Sequence, residues 1–267
     1  MHVLVQGQEC YAYTGGKRFD PSLPAIVLVH GAGNDHSVWS QQSRYLAHHG
    51  HAVIAVDLPG HGRSAGPALA SVPELATWLI ALLDALGVRR AAIAGHSLGS
   101  LIALETAATF PERVTRLALL GSAVPMTVSD TLLNAARDQP EAAYRMIVGW
   151  SLSYARQLGG NAVPGMWLAG GMLRLMERTP PGVLFTDLAA CNNYQTGLAS
   201  AAKVTCPTLL IVGGRDLMAP PKAAQALINA LPKARVFTLP EVGHGMMGEA
   251  PEAVLEGLRT GLAPNTP

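Results

Sequence analysis

The sequence predicts an α/β protein with a mostly parallel, doubly wound sheet and a helical insertion. Short, unbroken apolar runs alternate with longer segments of helical periodicity, which is typical of buried parallel strands joined by right-handed crossovers. This alternation stops after Pro125 and resumes near residue 200. We therefore expect residues 1–124 and 201–267 to form one α/β core, with residues 125–200 inserted as a helical cap.

The first half of the chain predicts a hairpin, buried strands and helices. Residues 2–14 alternate weakly around Gly7, as a hairpin of two edge strands would. Apolar runs predict buried strands at residues 25–29, 52–57 and 91–94, and a further strand is predicted at residues 114–120. Apolar residues at helical spacing predict the helices, at residues 36–49, 71–87 and 98–110.

The second half begins with the cap and then returns to strands and helices. Four helical patterns are predicted in the cap, opening near Ser129, Pro140, Met166 and Pro180. Strands are predicted at residues 208–214 and 235–239, with helices at 220–231 and after Pro251. This return of the alternation completes the core.

The composition excludes several classes of function. Of the 267 residues, 49% are hydrophobic and 14% are charged, and the formal net charge is +1. Such a balance offers no broad charged surface for nucleic acid or a membrane, and no apolar run approaches the length of a membrane span. The three cysteines are widely spaced, which favours reduced thiols over a disulfide framework. We expect a cytoplasmic protein with a small, largely uncharged ligand; whether it is a monomer or a homodimer is left open.

A Gly-x-Ser-x-Gly pentapeptide, Gly95 to Gly99, stands between a predicted strand and a predicted helix. A serine in so sharp a turn is forced towards positive φ, so the residues two positions before and after it must be small. The turn exposes the hydroxyl of Ser97 and aims the first N–H groups of the helix at any anion above it. Because the chain has 28 glycines, the pentapeptide by itself also fits a chance occurrence.

A serine nucleophile needs a base, and the base needs a group that holds it in the right tautomer. Among the nine histidines, His244 stands in a glycine-flanked loop after the last strand, at the same predicted sheet edge as the serine. His96 adjoins the serine, but strand alternation predicts that its side chain points away. Asp216 ends an earlier strand and is the expected carboxylate. Asp57 also ends a strand, but its Leu-Pro-Gly turn gives it a local use in capping turn N–H groups.

Taken in order, these motifs resemble those of the α/β-hydrolase fold family with a helical cap. The resemblance spans roughly residues 24–258, and it is carried by five stretches: His30-Gly31-Ala32-Gly33, Asp57 to Ser64, Gly95 to Gly99, Gly213 to Asp216, and Gly243-His244-Gly245. It implies that Ser97 is the nucleophile, His244 the base and Asp216 its partner. It also implies an oxyanion hole formed by the backbone N–H groups of Ala32 and Leu98.

The resemblance further implies a serine hydrolase that cleaves a small or medium, largely apolar carboxylic ester. Serine at position 97 disfavours the branches that use an aspartate nucleophile, namely haloalkane dehalogenases and epoxide hydrolases. A lactonase, a thioesterase, an acyltransferase and a non-hydrolytic ligand-binding member of the fold remain alternatives. No cofactor or metal is expected. The substrate pocket is expected to be lined by Met126, Trp150, Trp167 and Met247.

Overall fold

The structure, a computed structural model, describes residues 1–161 and 165–262, and its eight strands form one sheet. The strands are β1 (His2–Val5), β2 (Gln8–Tyr13), β3 (Ala25–Val29), β4 (Ala52–Val56), β5 (Ala91–His96), β6 (Val114–Leu120), β7 (Thr208–Gly213) and β8 (Ala234–Leu239). Their order in the sheet is β1-β2-β4-β3-β5-β6-β7-β8. The pairs β1-β2 and β2-β4 are antiparallel, and every other neighbouring pair is parallel. The predicted fold class, a mostly parallel doubly wound sheet, is confirmed.

Helices flank the sheet on both faces and fill the insertion between β6 and β7. They are α1 (Ser40–His48), α2 (Val72–Ala85), α3 (Leu98–Thr109), α4 (Asp130–Asp138), α5 (Pro140–Ser151), α6 (Tyr154–Gln157), α7 (Leu168–Met176), α8 (Val183–Asn193), α9 (Gly197–Ala201), α10 (Pro221–Ala230), α11 (Met246–Glu249) and α12 (Pro251–Leu262). Among the described helices, none is both long enough and apolar enough to cross a membrane.

Two apolar cores lie on opposite faces of the sheet. On one face Val27 of β3 belongs to a cluster with Leu79 of α2 and Leu101 of α3. On the other face its neighbour Leu28 belongs to a cluster with Leu258 of α12. Successive residues of a strand point to opposite faces, so a strand covered on both faces must be apolar throughout. This requirement explains why β3 appears in the sequence as an unbroken apolar run.

Two local predictions need correction. Only β1 is an edge strand of the predicted hairpin, because β2 lies between β1 and β4. The helix predicted over residues 36–49 begins as a short 3-10 helix, His36–Trp39, before α1. The side chain of Asp35 accepts a hydrogen bond from the Ser37 N–H at 2.8 Å, which caps that first turn.

Residues 125–200, the segment predicted as a cap, contain helices and no strand in their described part. Four of these helices correspond to the predicted patterns, and the short α6 and α9 are additional. Several side chains of α4, α5, α7 and α8 form an apolar cluster separate from those of the sheet: Leu132, Tyr144, Ile147, Met176, Leu184 and Leu188. The insertion leaves the sheet at the carboxyl end of β6, the strand beside β5, so its first residues start next to the carboxyl end of β5.

Candidate active site

Ser97 occupies a strained turn between β5 and α3. Its backbone φ is 54° and its ψ is −121°, in the region that residues with a Cβ atom rarely adopt. The chain is too crowded here for larger residues on either side: a Cβ on Gly95 would lie 2.0 Å from the Gly99 carbonyl oxygen, and one on Gly99 would lie 2.4 Å from the Val29 carbonyl oxygen. The sharp turn that the Gly-x-Ser-x-Gly pattern predicts is confirmed.

His244 and Asp216 form a buried pair at the same end of the sheet, with 4% and 2% of their surfaces exposed. The Nδ1 of His244 lies 2.7 Å from Oδ2 of Asp216, while Oδ1 accepts hydrogen bonds from the N–H groups of Met218 (2.8 Å) and Ala219 (2.7 Å). Burial works against the charged form of Asp216, but His244 and these N–H groups outweigh it, so the pKa of Asp216 lies below its ordinary value. With its proton on Nδ1, the ring presents Nε2 as an acceptor, and this atom is buried and has no partner among the described residues.

A cavity of about 230 Å³ contains both Ser97 and His244. Ala32 also lines it, from the loop after β3, and the cap contributes Met126 and Trp150. Side chains of residues 125–200 therefore share one mainly apolar cavity with Ser97 and His244.

The two predicted oxyanion donors belong to segments next to Ser97. Leu98 is the first residue of α3, so its N–H has no acceptor within the helix. The loop that carries Ala32 presses against the serine, because a Cβ on Gly31 would lie 3.0 Å from the Cβ of Ser97.

The four predicted pocket residues divide between two cavities. Met126 and Trp150 line the cavity over Ser97, whereas Trp167 and Met247 line an adjoining cavity of about 320 Å³. The two cavities share four residues in their walls, which are Asn34, His96, Met172 and Gly245. Trp167 lies at the mouth of the adjoining cavity, with 69% of its surface exposed.

His96 does not point away from the site, and that prediction is wrong. Its Nε2 lies 2.9 Å from the carbonyl oxygen of His244, and the two rings are 4.7 Å apart between centroids. Burial, helped by the neighbouring His244, lowers the pKa of His96 to about 3, so its ring is neutral and Nε2–H donates to that carbonyl. The alternation rule compares two extended residues, and Ser97 is not extended. His96 thus ties the His244 loop to the end of β5.

Glu249 holds the same loop from the other side, and sequence reasoning missed it. Its buried carboxylate accepts hydrogen bonds from the Gly243 N–H (3.0 Å) and from the Ser153 N–H and hydroxyl (3.2 and 2.5 Å). Burial raises the pKa of Glu249. This side chain therefore connects the loop that carries His244 to the cap. The sequence contains one signal of this role: Glu249 is an acidic residue between the glycine-flanked His244 and the helix that begins at Pro251.

Among the described residues, Asp35, His36 and Asp57 each place one potential metal-ligand atom within 4.8 Å of the others. Asp57 is already occupied, since Oδ1 accepts from the His36 N–H (2.7 Å) and Oδ2 from the Arg63 N–H (2.9 Å). Asp35 pairs with Arg178 at 3.0 Å. These contacts hold the loops after β3 and β4 in place, and the predicted role of Asp57 in capping turn N–H groups is confirmed.

Comparison with known proteins identifies the family. The sequence model of the α/β hydrolase fold matches residues 24–251. The chain belongs to the α/β-hydrolase fold family. Its relatives include RutD of Pseudomonas savastanoi pv. phaseolicola, a protein named provisionally as a carbamate hydrolase, which is 30% identical over 239 residues, or 83% of this chain and 86% of the relative.

A second relative of this α/β hydrolase carries the name of an esterase. The pimeloyl-[acyl-carrier protein] methyl ester esterase of Nitrosomonas europaea is 31% identical over 252 residues, or 86% of this chain and 92% of the relative. Among solved structures, the enol-lactonase of Burkholderia xenovorans LB400 aligns with a TM-score of 0.86 over 98% of this chain and 99% of that chain, at 24% identity. At that identity the likeness is one of fold.

Proposed function

We propose that this α/β hydrolase cleaves a small or medium, largely apolar carboxylic ester through an acyl-enzyme formed on Ser97. One observation carries the proposal: His244 and Ser97 line the same cavity, and the buried Nε2 of His244 has no hydrogen-bond partner among the described residues. Its opposite nitrogen is held by Asp216 at 2.7 Å. A neutral imidazole fixed in this tautomer is what a serine nucleophile requires of its base.

The chemistry follows from these positions. Ser97 Oγ attacks the ester carbonyl carbon and its proton passes to His244 Nε2, while Asp216 stabilises the imidazolium that forms. The oxygen of the tetrahedral intermediate accepts hydrogen bonds from the N–H groups of Ala32 and Leu98. Collapse of the intermediate breaks the bond to the alcohol oxygen, which takes the proton from Nε2. Water then repeats the sequence on the acyl-enzyme, releasing the acid and restoring the serine.

The names of the relatives support attack on a carbonyl group, but they do not identify the leaving group. One is named for a methyl ester and the other for a carbamate, and both substrates present a carbonyl to a nucleophile. The apolar wall of the cavity, which includes Met126 and Trp150, supports an apolar acyl group. An ester is the better candidate because a carbamate carbonyl is deactivated by its nitrogen and offers a polar group to an apolar wall. Lactones and thioesters are the nearest alternatives.

Labelling with a fluorophosphonate, combined with a panel of substrates, tests the proposal. We expect one equivalent of label on Ser97 and turnover of p-nitrophenyl and aliphatic esters, because the base and the serine share one cavity. The panel also includes a lactone, a thioester and a carbamate of matched acyl size. Failure to label Ser97 would contradict the nucleophile. Labelling without turnover of any substrate would favour a ligand-binding protein, and suppression of hydrolysis by added alcohols would reveal an acyltransferase.

The length of the acyl chain should control the rate until the cavity is full. Each buried CH₂ contributes about 0.8 kcal/mol, so kcat/KM should rise roughly fourfold per carbon along a p-nitrophenyl ester series and then fall. Trp150→Ala should move the optimum to longer chains, because Trp150 lines the cavity over Ser97. The matched variant Trp167→Ala should leave the optimum in place, because Trp167 lines only the adjoining cavity. If the optimum moves in Trp167→Ala and not in Trp150→Ala, the acyl group binds in the adjoining cavity and not in the cavity over Ser97.

A further inference from the structure

Residues of the cap hold the loop after β3 at Gly33, in addition to the ion pair between Arg178 and Asp35. The Gly33 N–H donates to Oδ2 of Asp187 on α8 at 2.9 Å, and its carbonyl oxygen accepts from the Thr179 hydroxyl at 2.9 Å. Gly33 has a φ of +64°, and a Cβ there would lie 3.1 Å from Leu184 of the cap. The two cap residues therefore fix the peptide units on both sides of Gly33. One of these is the Ala32–Gly33 peptide, next to the N–H group that the proposed function assigns to the oxyanion hole.

The carboxylate of Asp187, which accepts the hydrogen bond from Gly33, is buried and makes a second contact. Asp187 is 1% exposed, and its Oδ2 lies 2.8 Å from Nε2 of His61, which is 2% exposed. The other ring nitrogen of His61 lies 3.0 Å from the Pro59 carbonyl oxygen, so both nitrogens of His61 face acceptors. Burial opposes a charged ring, but Asp187 outweighs it and the pKa of His61 lies above its ordinary value. The pair anchors α8 to the core.

Asp187 itself does not line the cavity over Ser97. Its Oδ2 contacts both Gly33 of the loop and His61 of the core. We infer that Asp187 is a positioning residue, through which the cap holds the Ala32 N–H in the orientation that an oxyanion requires. This inference rests on the proposed function. It gives the cap a role in the rate of the chemical step besides its role in binding the acyl group.

Kinetics of full-length variants test the inference. Asp187→Ala should lower kcat about tenfold or more, with KM within about twofold, because a displaced oxyanion donor affects the transition state more than the substrate. Asp187→Asn should retain most of kcat, since its amide oxygen can still accept from the Gly33 N–H. Tyr194→Phe is the matched control: it removes a partly buried hydrogen bond to Glu105 at the end of the same helix, and it should lower Tm without changing kcat.

A readout of the oxyanion separates positioning from general stability. An aryl trifluoromethyl ketone forms a tetrahedral adduct with the serine, and its inhibition constant should rise in Asp187→Ala by the same factor by which kcat/KM falls. If Asp187→Ala does not fold, Thr179→Val should show a smaller loss of kcat at unchanged KM. A folded Asp187→Ala with wild-type kcat, or an unchanged inhibition constant, would overturn the inference. If the wild-type protein is neither labelled by fluorophosphonate nor active, the proposed function has failed instead.

Discussion

Ser97→Ala is expected to abolish ester turnover, with a loss in kcat on the order of 10⁶, while the protein stays folded. The reason lies in which atoms of Ser97 support the fold. Its N–H donates to the Leu120 carbonyl oxygen at 2.9 Å, and its carbonyl oxygen accepts from the Ser100 N–H at 2.8 Å. These are backbone bonds that alanine keeps, and alanine has the same Cβ in the same strained turn. Only the nucleophilic oxygen is lost.

The measurement compares kcat on a p-nitrophenyl ester with the thermal midpoint of unfolding. Ser200→Ala is a suitable control, because it removes a buried hydroxyl that donates to Glu105 at 2.7 Å, away from the cavity. The control should lose stability and keep kcat, whereas Ser97→Ala should keep stability and lose kcat. Activity close to wild type in Ser97→Ala would place the nucleophile elsewhere in the chain.

The strands and the elbow could be predicted because local patterns encode them. β3 and β4 are covered on both faces, so their burial leaves an unbroken apolar run that no exposed segment would tolerate. The elbow at Ser97 requires glycines at fixed spacing, and that requirement is visible in five letters of sequence. The strand β8, by contrast, has exposed positions along its length and its start was predicted one residue late. Local sterics and two-sided burial therefore determine what the sequence reveals.

Contacts between distant segments could not be predicted in the same way. The bond between Asp187 and Gly33 joins residues 154 positions apart, and nothing near Gly33 indicates its partner. A signal does exist in α8, where Asp187 lies among Leu184, Leu188 and Cys191 at helical spacing, all of them buried. A carboxylate on an apolar stripe must find a donor, so its presence predicts a buried partner without identifying it. The prediction of the His96 orientation is wrong for a related reason, since that orientation depends on the packing of the His244 loop.

Asp57→Asn is the control for Asp216→Asn, the variant in which we expect the second large loss of kcat. Both carboxylates follow strands and both are buried, with 0% and 2% exposed. Asp57 clamps a loop through the N–H groups of His36 and Arg63, and it does not line the cavity over the serine. We expect Asp57→Asn to lower the free energy of unfolding and to keep kcat.

Asp216→Asn is expected to lower kcat on the order of 10⁴ while the protein stays folded. The N–H groups of Met218 and Ala219 both donate to Oδ1, so the amide oxygen must occupy that place, and the amide nitrogen then faces Nδ1 of His244. That nitrogen can only donate, which forces the imidazole to carry its proton on Nε2. A ring protonated there cannot accept the proton of Ser97, so the loss appears in kcat and not in KM. If Asp216→Asn retains full activity while a folded Asp57→Asn is inactive, the carboxylate of the site is Asp57, and the tautomer argument applies to the wrong residue.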